Sequence, residues 1–303
     1  MLSNNDLSNE NPSNNLPKDI LNSNYSKGLL AGYCVESGEE VYLDNAHLLQ
    51  HISICGSTGS GTSIVRHSLI KQQMSKGGGL LIIDGGLSDT ELEIVNKGAF
   101  SCGRISDFIL IKPNDPENSN TYSHEINFEE CIRQNKIVYV KLPISNADKD
   151  AVALAKLIVG DCRSAISRLQ QVPVEELPSP PFMFLPNDCA SYIDESWSRM
   201  FEQGRSSRFI MIPTFQTINS LHSDGDEILS DVVMGNTYYK FFLKQVSMES
   251  AIQVAEEIGM KYVAGGDDTY IVGPEKINSI PVGECLLKVS NEKIYHLRLP
   301  HTW

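Results

Sequence analysis

From residue 51 onward the chain alternates short apolar runs with longer amphipathic stretches, and this alternation restricts the folds open to it more than any other feature. The apolar runs are 51–55, 80–84, 108–111, 137–142, 182–185, 209–212 and 239–243, each of strand length. Between them the spacing predicts helices over 62–75, 90–95, 127–134, 147–171, 195–203 and 249–258. In the longest, Val152, Leu154, Ala155, Ile158, Val159, Cys162, Ile166 and Leu169 follow the helical period and mark a face that must be covered. Parallel neighbours need a crossover, so strands that alternate with helices imply the α/β class, a mostly parallel sheet flanked by helices. Two further patterns predict β-hairpins at the N-terminal and C-terminal edges: 28–35 with 40–43 around Glu36-Ser37-Gly38-Glu39, and 283–289 with 293–299 around Ser290-Asn291-Glu292.

With 303 residues, 41% of them hydrophobic, the chain has enough apolar material for a full core, and no interdomain linker interrupts it. The expectation is one domain over 27–303, preceded by an Asn/Ser-rich tail over 1–26 that reads as disordered. The stretch 173–181 reads as a rigid connector. No run approaches the roughly 20 apolar residues that a spanning helix needs. The N-terminus shows no signal-peptide pattern, so a cytoplasmic chain without membrane insertion is expected. The seven cysteines include no CxxC pair and fit reduced, mostly buried thiols. Lys and Arg number 25 against 38 Asp and Glu, a formal net charge of -13, which disfavours nucleic acid as a partner. His51, His67, His124, His222, His296 and His301 lack metal-ligand spacing and read as ordinary surface or core histidines. Trp197 and Phe201, one turn apart, fit either burial or exposed anchors for a partner, burial being the commoner fate.

Directly after the first run lies Gly56-Ser57-Thr58-Gly59-Ser60-Gly61-Thr62-Ser63, followed by a helix. Strand, glycine-rich loop and helix are the context of a Walker A motif, in which backbone N–H groups converge on phosphate at a helix N-terminus. Gly56, Gly61 and Ser63 match its pattern, and Thr62 stands where the lysine belongs. A neutral threonine removes the cation that reaches the β- and γ-phosphates but leaves the cradle, with a hydroxyl for Mg²⁺ at Ser63. On these eight residues alone, a simple turn after a strand fits equally well.

Further blocks follow in order. Gly32-Tyr33 with Ser37-Gly38-Glu39 and Val41-Tyr42-Leu43 opens the series, and Gly78-Gly79-Leu80 through Asp84-Gly85 succeeds the loop. Next come Asp115-Pro116-Glu117-Asn118-Ser119 and the runs from Ile137 and Ala153. Taken together over roughly 32–300 they resemble the type IV secretion coupling proteins, the TraG/TraD-like conjugation ATPases with a RecA-like P-loop NTPase core. The resemblance implies an acidic strand end, aspartate then glutamate before F-A-x-Y, that holds Mg²⁺ and activates water. In this chain Asn187 replaces that aspartate and Asp188 the glutamate, ahead of Cys189-Ala190-Ser191-Tyr192. An amide is a poor ligand for a hard cation, and the shorter carboxylate reaches less far. Gly86 falls where many relatives have a lysine. Gly204-Arg205-Ser206 resembles the family's G-R-S, whose arginine lies near a subunit boundary, and Gln216 resembles the glutamine that senses the γ-phosphate. The family's membrane helices and all-helical insert are missing, with only 120–133 in the insert's place.

Loss of both lysine and aspartate implies a pseudo-ATPase, with ATP and Mg²⁺ bound weakly or not at all. The leading expectation is a structural or regulatory subunit of a bacterial type IV secretion or conjugation system. It would bind an active coupling ATPase or a related component in a homo- or hetero-oligomeric ring, and reach the inner-membrane face through that partner. The alternatives are an active DNA or protein translocase that borrows Lys71 or Lys112, and a nucleotide sensor that binds without hydrolysis.

Overall fold

The computed structural model describes residues 28–44, 49–112, 126–142, 149–222, 228–262, 268–290 and 293–300. The expected tail, the 115–119 block, His124, His301 and two residues of the last hairpin turn (291–292) lie outside them. Fourteen strands are described: β1 Leu29–Cys34, β2 Glu40–Leu43, β3 His51–Cys55, β4 Leu80–Asp84, β5 Phe108–Ile111, β6 Ile137–Lys141, β7 Phe182–Pro186, β8 Phe209–Met211, β9 Thr214–Phe215, β10 Thr237–Phe242, β11 Met260–Lys261, β12 Thr269–Tyr270, β13 Glu284–Val289 and β14 Lys293–Arg298. The α-helices are α1 Thr62–Ser75, α2 Thr90–Ser101, α3 Phe128–Arg133, α4 Lys149–Leu169, α5 Trp197–Gly204, α6 Ile228–Asn236, α7 Met248–Ile258 and α8 Pro274–Asn278.

Runs such as Leu80-Leu81-Ile82-Ile83 are apolar on both faces, so they hold only as interior strands covered above and below. Every residue of β3, β4, β6 and β7 is buried. Alternation then divides the core. Leu80, Ile82, Ile137, Tyr139, Met183 and Leu185 join Val65, Leu69 and Ile70 of α1 and Val95 and Ala99 of α2 on one face. Leu81, Ile83, Val138, Val140, Phe182 and Phe184 join α4, α5, α6 and α7 on the other. In α4 the buried stripe is Ala151, Ala155, Ile158, Val159, Cys162, Ala165, Ile166 and Leu169, close to the expected face, with Val152 and Leu154 at its margin.

The parallel strands run β5-β6-β4-β7-β8, and a second set runs β2-β1-β14-β13-β10-β3-β9. Residues 209–215 join the two. β8 pairs with β7, the chain passes Pro213, which has no N–H to donate, and β9 then pairs with β3. His51 closes the gap that this break leaves: the Met211 amide donates to its Nδ1 at 3.0 Å, so Nε2 carries the proton and faces the Phe201 carbonyl oxygen at 2.8 Å. The strand that carries the glycine-rich loop is thereby fixed to β8 and to the last turn of α5. β13 and β14 form the expected hairpin, but it lies between β10 and β1, and β2 forms the outer edge.

Helix α2 extends to Ser101 rather than ending near residue 95, because Gly98 serves packing and not a turn. A Cβ there would meet Met74 Cε at 2.4 Å, so the missing side chain lets α1 and α2 approach. Helix α6 was not legible, since Ile-Leu-Ser-Asp-Val-Val-Met-Gly-Asn has no helical period and two adjacent β-branched residues. Trp197 and Phe201 are core residues at 0% and 1% exposure, so they anchor no partner.

Candidate nucleotide-binding site

The root of the glycine-rich loop is fixed by its neighbours on both sides. Gly56 N–H donates to the Phe215 carbonyl at 3.1 Å, and Ser57 N–H donates to the Lys244 carbonyl at 3.1 Å. The Ser57 hydroxyl accepts from Val246 N–H at 3.1 Å. Within the loop, Ser60 N–H closes a turn onto the Ser57 carbonyl at 3.0 Å, and Gly59 and Gly61 take φ of +78° and +103°. Gly61 must adopt this left-handed conformation for α1 to start where it does. At Gly56 a Cβ would lie 2.6 Å from Ser60 Oγ and 2.9 Å from Thr62 Cγ2, so only glycine lets the loop fold back on itself. Helix α1 begins with no side-chain cap and no acidic residue in its first turn, which leaves its N-terminal dipole unopposed and suited to an anion. Ser60 Oγ is buried without a hydrogen-bond partner among the described residues.

No lysine compensates at residue 62. Thr62 is half-buried and Ser63 exposed. The cation one turn further on is Arg66, 2% exposed, whose Nη2 and Nε hold Glu91 Oε1 at 2.9 and 3.2 Å while Nη1 donates to Thr214 Oγ1 at 3.2 Å. Arg66 is therefore spent inside the protein. Lys71 lies about 13 Å further along the α1 axis. Lys112 follows β5, five strand spacings or about 24 Å from β3. Neither alternative lysine reaches the loop. Lys244, which sequence reading missed, touches it through its carbonyl, and its ammonium has no partner among the described residues.

The other expected residues gather at the same end of the sheet. Gln216 follows β9 beside Gly56, and Asp188 follows β7 two positions along. Together with Gly85, Ala190, Ser191, Phe215, Thr217 and Ser220 they line a cavity of about 490 Å³. Asn187 is held through its backbone, donating to the Ile83 carbonyl at 2.9 Å and accepting from Tyr192 Oη at 2.9 Å. Asp188 sits at φ 45°, ψ 46°, exposed, and supplies the one carboxylate among these matched positions. The arrangement fits phosphate oxygens at the loop and does not fit Mg²⁺, which would have Ser63, an amide and a single short carboxylate to bind.

Another acid sits one strand over, and sequence reading did not single it out. Asp84 ends β4 and is 3% exposed. Its Oδ2 accepts from Lys141 Nζ at 2.8 Å and Tyr139 Oη at 2.6 Å, and its Oδ1 accepts from Gly86 N–H at 2.8 Å. Burial, with the Glu91 and Asp84 carboxylates, pushes the Tyr139 hydroxyl well above its ordinary pKa, so it remains a donor. Lys141 also binds the Ser88 carbonyl. Both oxygens of Asp84 are committed.

Arg205 lies elsewhere. It lines a cavity with Gln50, His51 and Thr237, at the N-terminal ends of β3 and β10, about 16 Å of strand from the loop.

Comparison with solved structures decides the fold. VirB4 of Thermoanaerobacter pseudethanolicus superposes with a TM-score of 0.62 at 11% identity, covering 90% of this chain and 96% of that one. The chain has the P-loop fold of VirB4 and of the plasmid coupling protein TrwB. The plasmid coupling protein TrwB, in complex with the GTP analogue GDPNP, gives 0.61 at 11% identity over 89% of each chain. The genome packaging NTPase B204 from Sulfolobus turreted icosahedral virus 2, in complex with ATP-gammaS, gives 0.51 at 10% identity, covering 84% of this chain and 99% of that one. TrwB is also known with ADP and Mg²⁺. No family model and no curated protein matches the sequence. The VirB4 and TrwB fold is thus retained here on a different sequence. No described helix is long and apolar enough to cross a membrane.

Proposed function

We propose that this chain is a pseudo-ATPase of the coupling-protein fold, a structural or regulatory subunit that binds an active coupling ATPase or a related component of a type IV secretion or conjugation system. The observation that carries this reading is the missing cation at the loop: Thr62 replaces the lysine, and Arg66 one turn on is consumed by Glu91 and Thr214. Asn187 in place of the metal-binding aspartate adds a second, separate deficit. Each such group supplies several kcal/mol of transition-state stabilisation in a working enzyme, so their joint loss abolishes turnover. In this reading the chain is cytoplasmic and meets the inner membrane through its partner.

The position of Arg205 supports a role in a ring. It lies at the strand ends opposite the loop, so it cannot act on its own nucleotide, but a head-to-tail interface of the kind that closes rings would present it to the loop of the next subunit. The chain then completes a neighbour's site while its own stays silent. The test is a turnover assay on the purified chain, alone and mixed with an active coupling ATPase. Alone, no Mg²⁺-dependent hydrolysis is expected; in the mixture, a stable complex with altered turnover is expected, the alteration being lost in Arg205→Gln. Hydrolysis by the chain alone overturns the reading.

One observation favours a second reading, an active translocase: Lys244 touches the loop through its carbonyl, and its ammonium has no partner among the described residues. If turnover is seen, Lys244→Ala should abolish it.

A further inference from the structure

The cavity that contains Arg205 has a volume of about 590 Å³ and is separate from the nucleotide-binding loop, at the other end of the sheet. Its inner wall holds one buried cation, Lys240. Lys240 of β10 and Lys288 of β13 are direct cross-strand partners, an arrangement of like charges that costs stability unless an anion lies between them. One glutamate serves both: Glu257 Oε1 is 3.6 Å from Lys240 Nζ and 3.4 Å from Lys288 Nζ. Lys288 also binds the Glu257 carbonyl. Lys240, 6% exposed, donates to the Thr237 carbonyl at 2.7 Å, and its 3.6 Å approach to Glu257 is too long for a hydrogen bond. The buried Lys240 ammonium on the cavity wall thus has one short hydrogen bond and one long ion pair among the described residues, a weakly satisfied arrangement for a buried cation.

At the rim, Arg205 is exposed, and its guanidinium has no hydrogen bond or ion pair among the described residues. Gln50, Asn236 and Ser290 add neutral polar groups to the lining. The opposing charges on the lining are Glu202 and Asp231, both exposed, and Glu257, which is already engaged with Lys240 and Lys288. They repel a polyanion, which restricts the guest to one strongly charged group.

We propose that this cavity binds a small oxyanion ligand, a carboxylate or phosphate monoester seated between Lys240 and Arg205. The site stands whether or not the chain joins a ring, and it is distinct from the phosphate loop. Its volume falls within the usual range for small-molecule pockets and exceeds a bare phosphate, so the anionic group is one end of a larger molecule.

The test is calorimetric titration of the full chain with inorganic phosphate and with succinate, in a buffer without competing anions. Saturable one-to-one binding of at least one probe is expected. Which probe binds more tightly assigns the guest as a phosphate ester or a carboxylate. Lys240→Met and Arg205→Gln should each weaken it at least about tenfold, the loss of one charge-assisted hydrogen bond. Thr62→Asp, which repels anions from the loop, should leave it intact. If Lys240→Met does not fold, Arg205→Gln decides, since its side chain is exposed. The proposal is overturned if neither probe binds saturably, if binding survives in both variants, or if it is lost in Thr62→Asp.

Discussion

His51 has one partner that requires it neutral, the Met211 amide that donates to Nδ1, whereas the Phe201 carbonyl that accepts from Nε2 favours the protonated ring. Burial is the main cause that lowers its pKa to about 4 from an ordinary 6.5. The sign follows from proton counting. Between pH 4 and 6.5 the unfolded chain binds a proton at this residue that the folded chain refuses, so stability rises with pH across that window. The contribution is complete above pH 6.5 and is lost as pH falls through about 4, amounting to about 3 kcal/mol for the 2.5-unit difference. Urea unfolding of wild type and His51→Gln at intervals across this range should give a steep pH dependence in the first and a flattened one in the second. At Thr62, restoring lysine should tighten a fluorescent ATP analogue about tenfold, because the loop amides are already disposed to receive phosphate. Turnover should stay absent in Thr62→Lys until Asn187→Asp is added, as measured by phosphate release. Both proposed deficits were read from the sequence, since each is a change of residue type at a recognisable position. The fate of Arg66 was not, because a lysine or arginine one turn into a helix reads as solvated until its burial against Glu91 and Thr214 is seen.

The elements most firmly legible were those with both a period and a definite boundary. The parallel strands and α4 are of this kind, being interior strands apolar throughout and a helix with a continuous stripe. What escaped depended on contacts distant in sequence: α6 lacks a period, β9 is two residues long behind Pro213, and the extension of α2 rests on Gly98 meeting Met74. The Asp84 cluster escaped for the same reason. Its members lie on β4 and β6 and in the turn before α2, and no local spacing links Asp84 to Lys141 across 57 positions. With side chains 4% and 7% exposed, this pair is a buried one, where removal of a single partner strands a charge. Lys141→Met should therefore cost about 3 to 5 kcal/mol in chemical denaturation. Lys141→Met combined with Asp84→Asn should recover much of that loss, since no uncompensated charge remains. Equal destabilisation of the single and double variants would show that Lys141 acts through packing alone.

At the scale of the whole molecule, the sheet separates two chemistries. One end carries the loop, Gln216 and Asp188; the other carries Arg205, Lys240 and the second cavity. A subunit built this way affects a ring asymmetrically, because its two ends meet different neighbours. In the proposed mixed assembly, its loop end leaves one interface without a catalytic centre, while its Arg205 end can still complete the active site next door. Each incorporated copy then removes one working site and spares the adjacent one. Arg205→Gln should remove both, so that adding the variant to an active coupling ATPase lowers turnover about twice as steeply per incorporated copy as adding the wild type. Steady-state hydrolysis against mixing ratio, with incorporation measured by native mass spectrometry, reads this slope directly. Identical slopes would mean that Arg205 faces no neighbour's nucleotide, leaving the second cavity as the function of that end of the sheet.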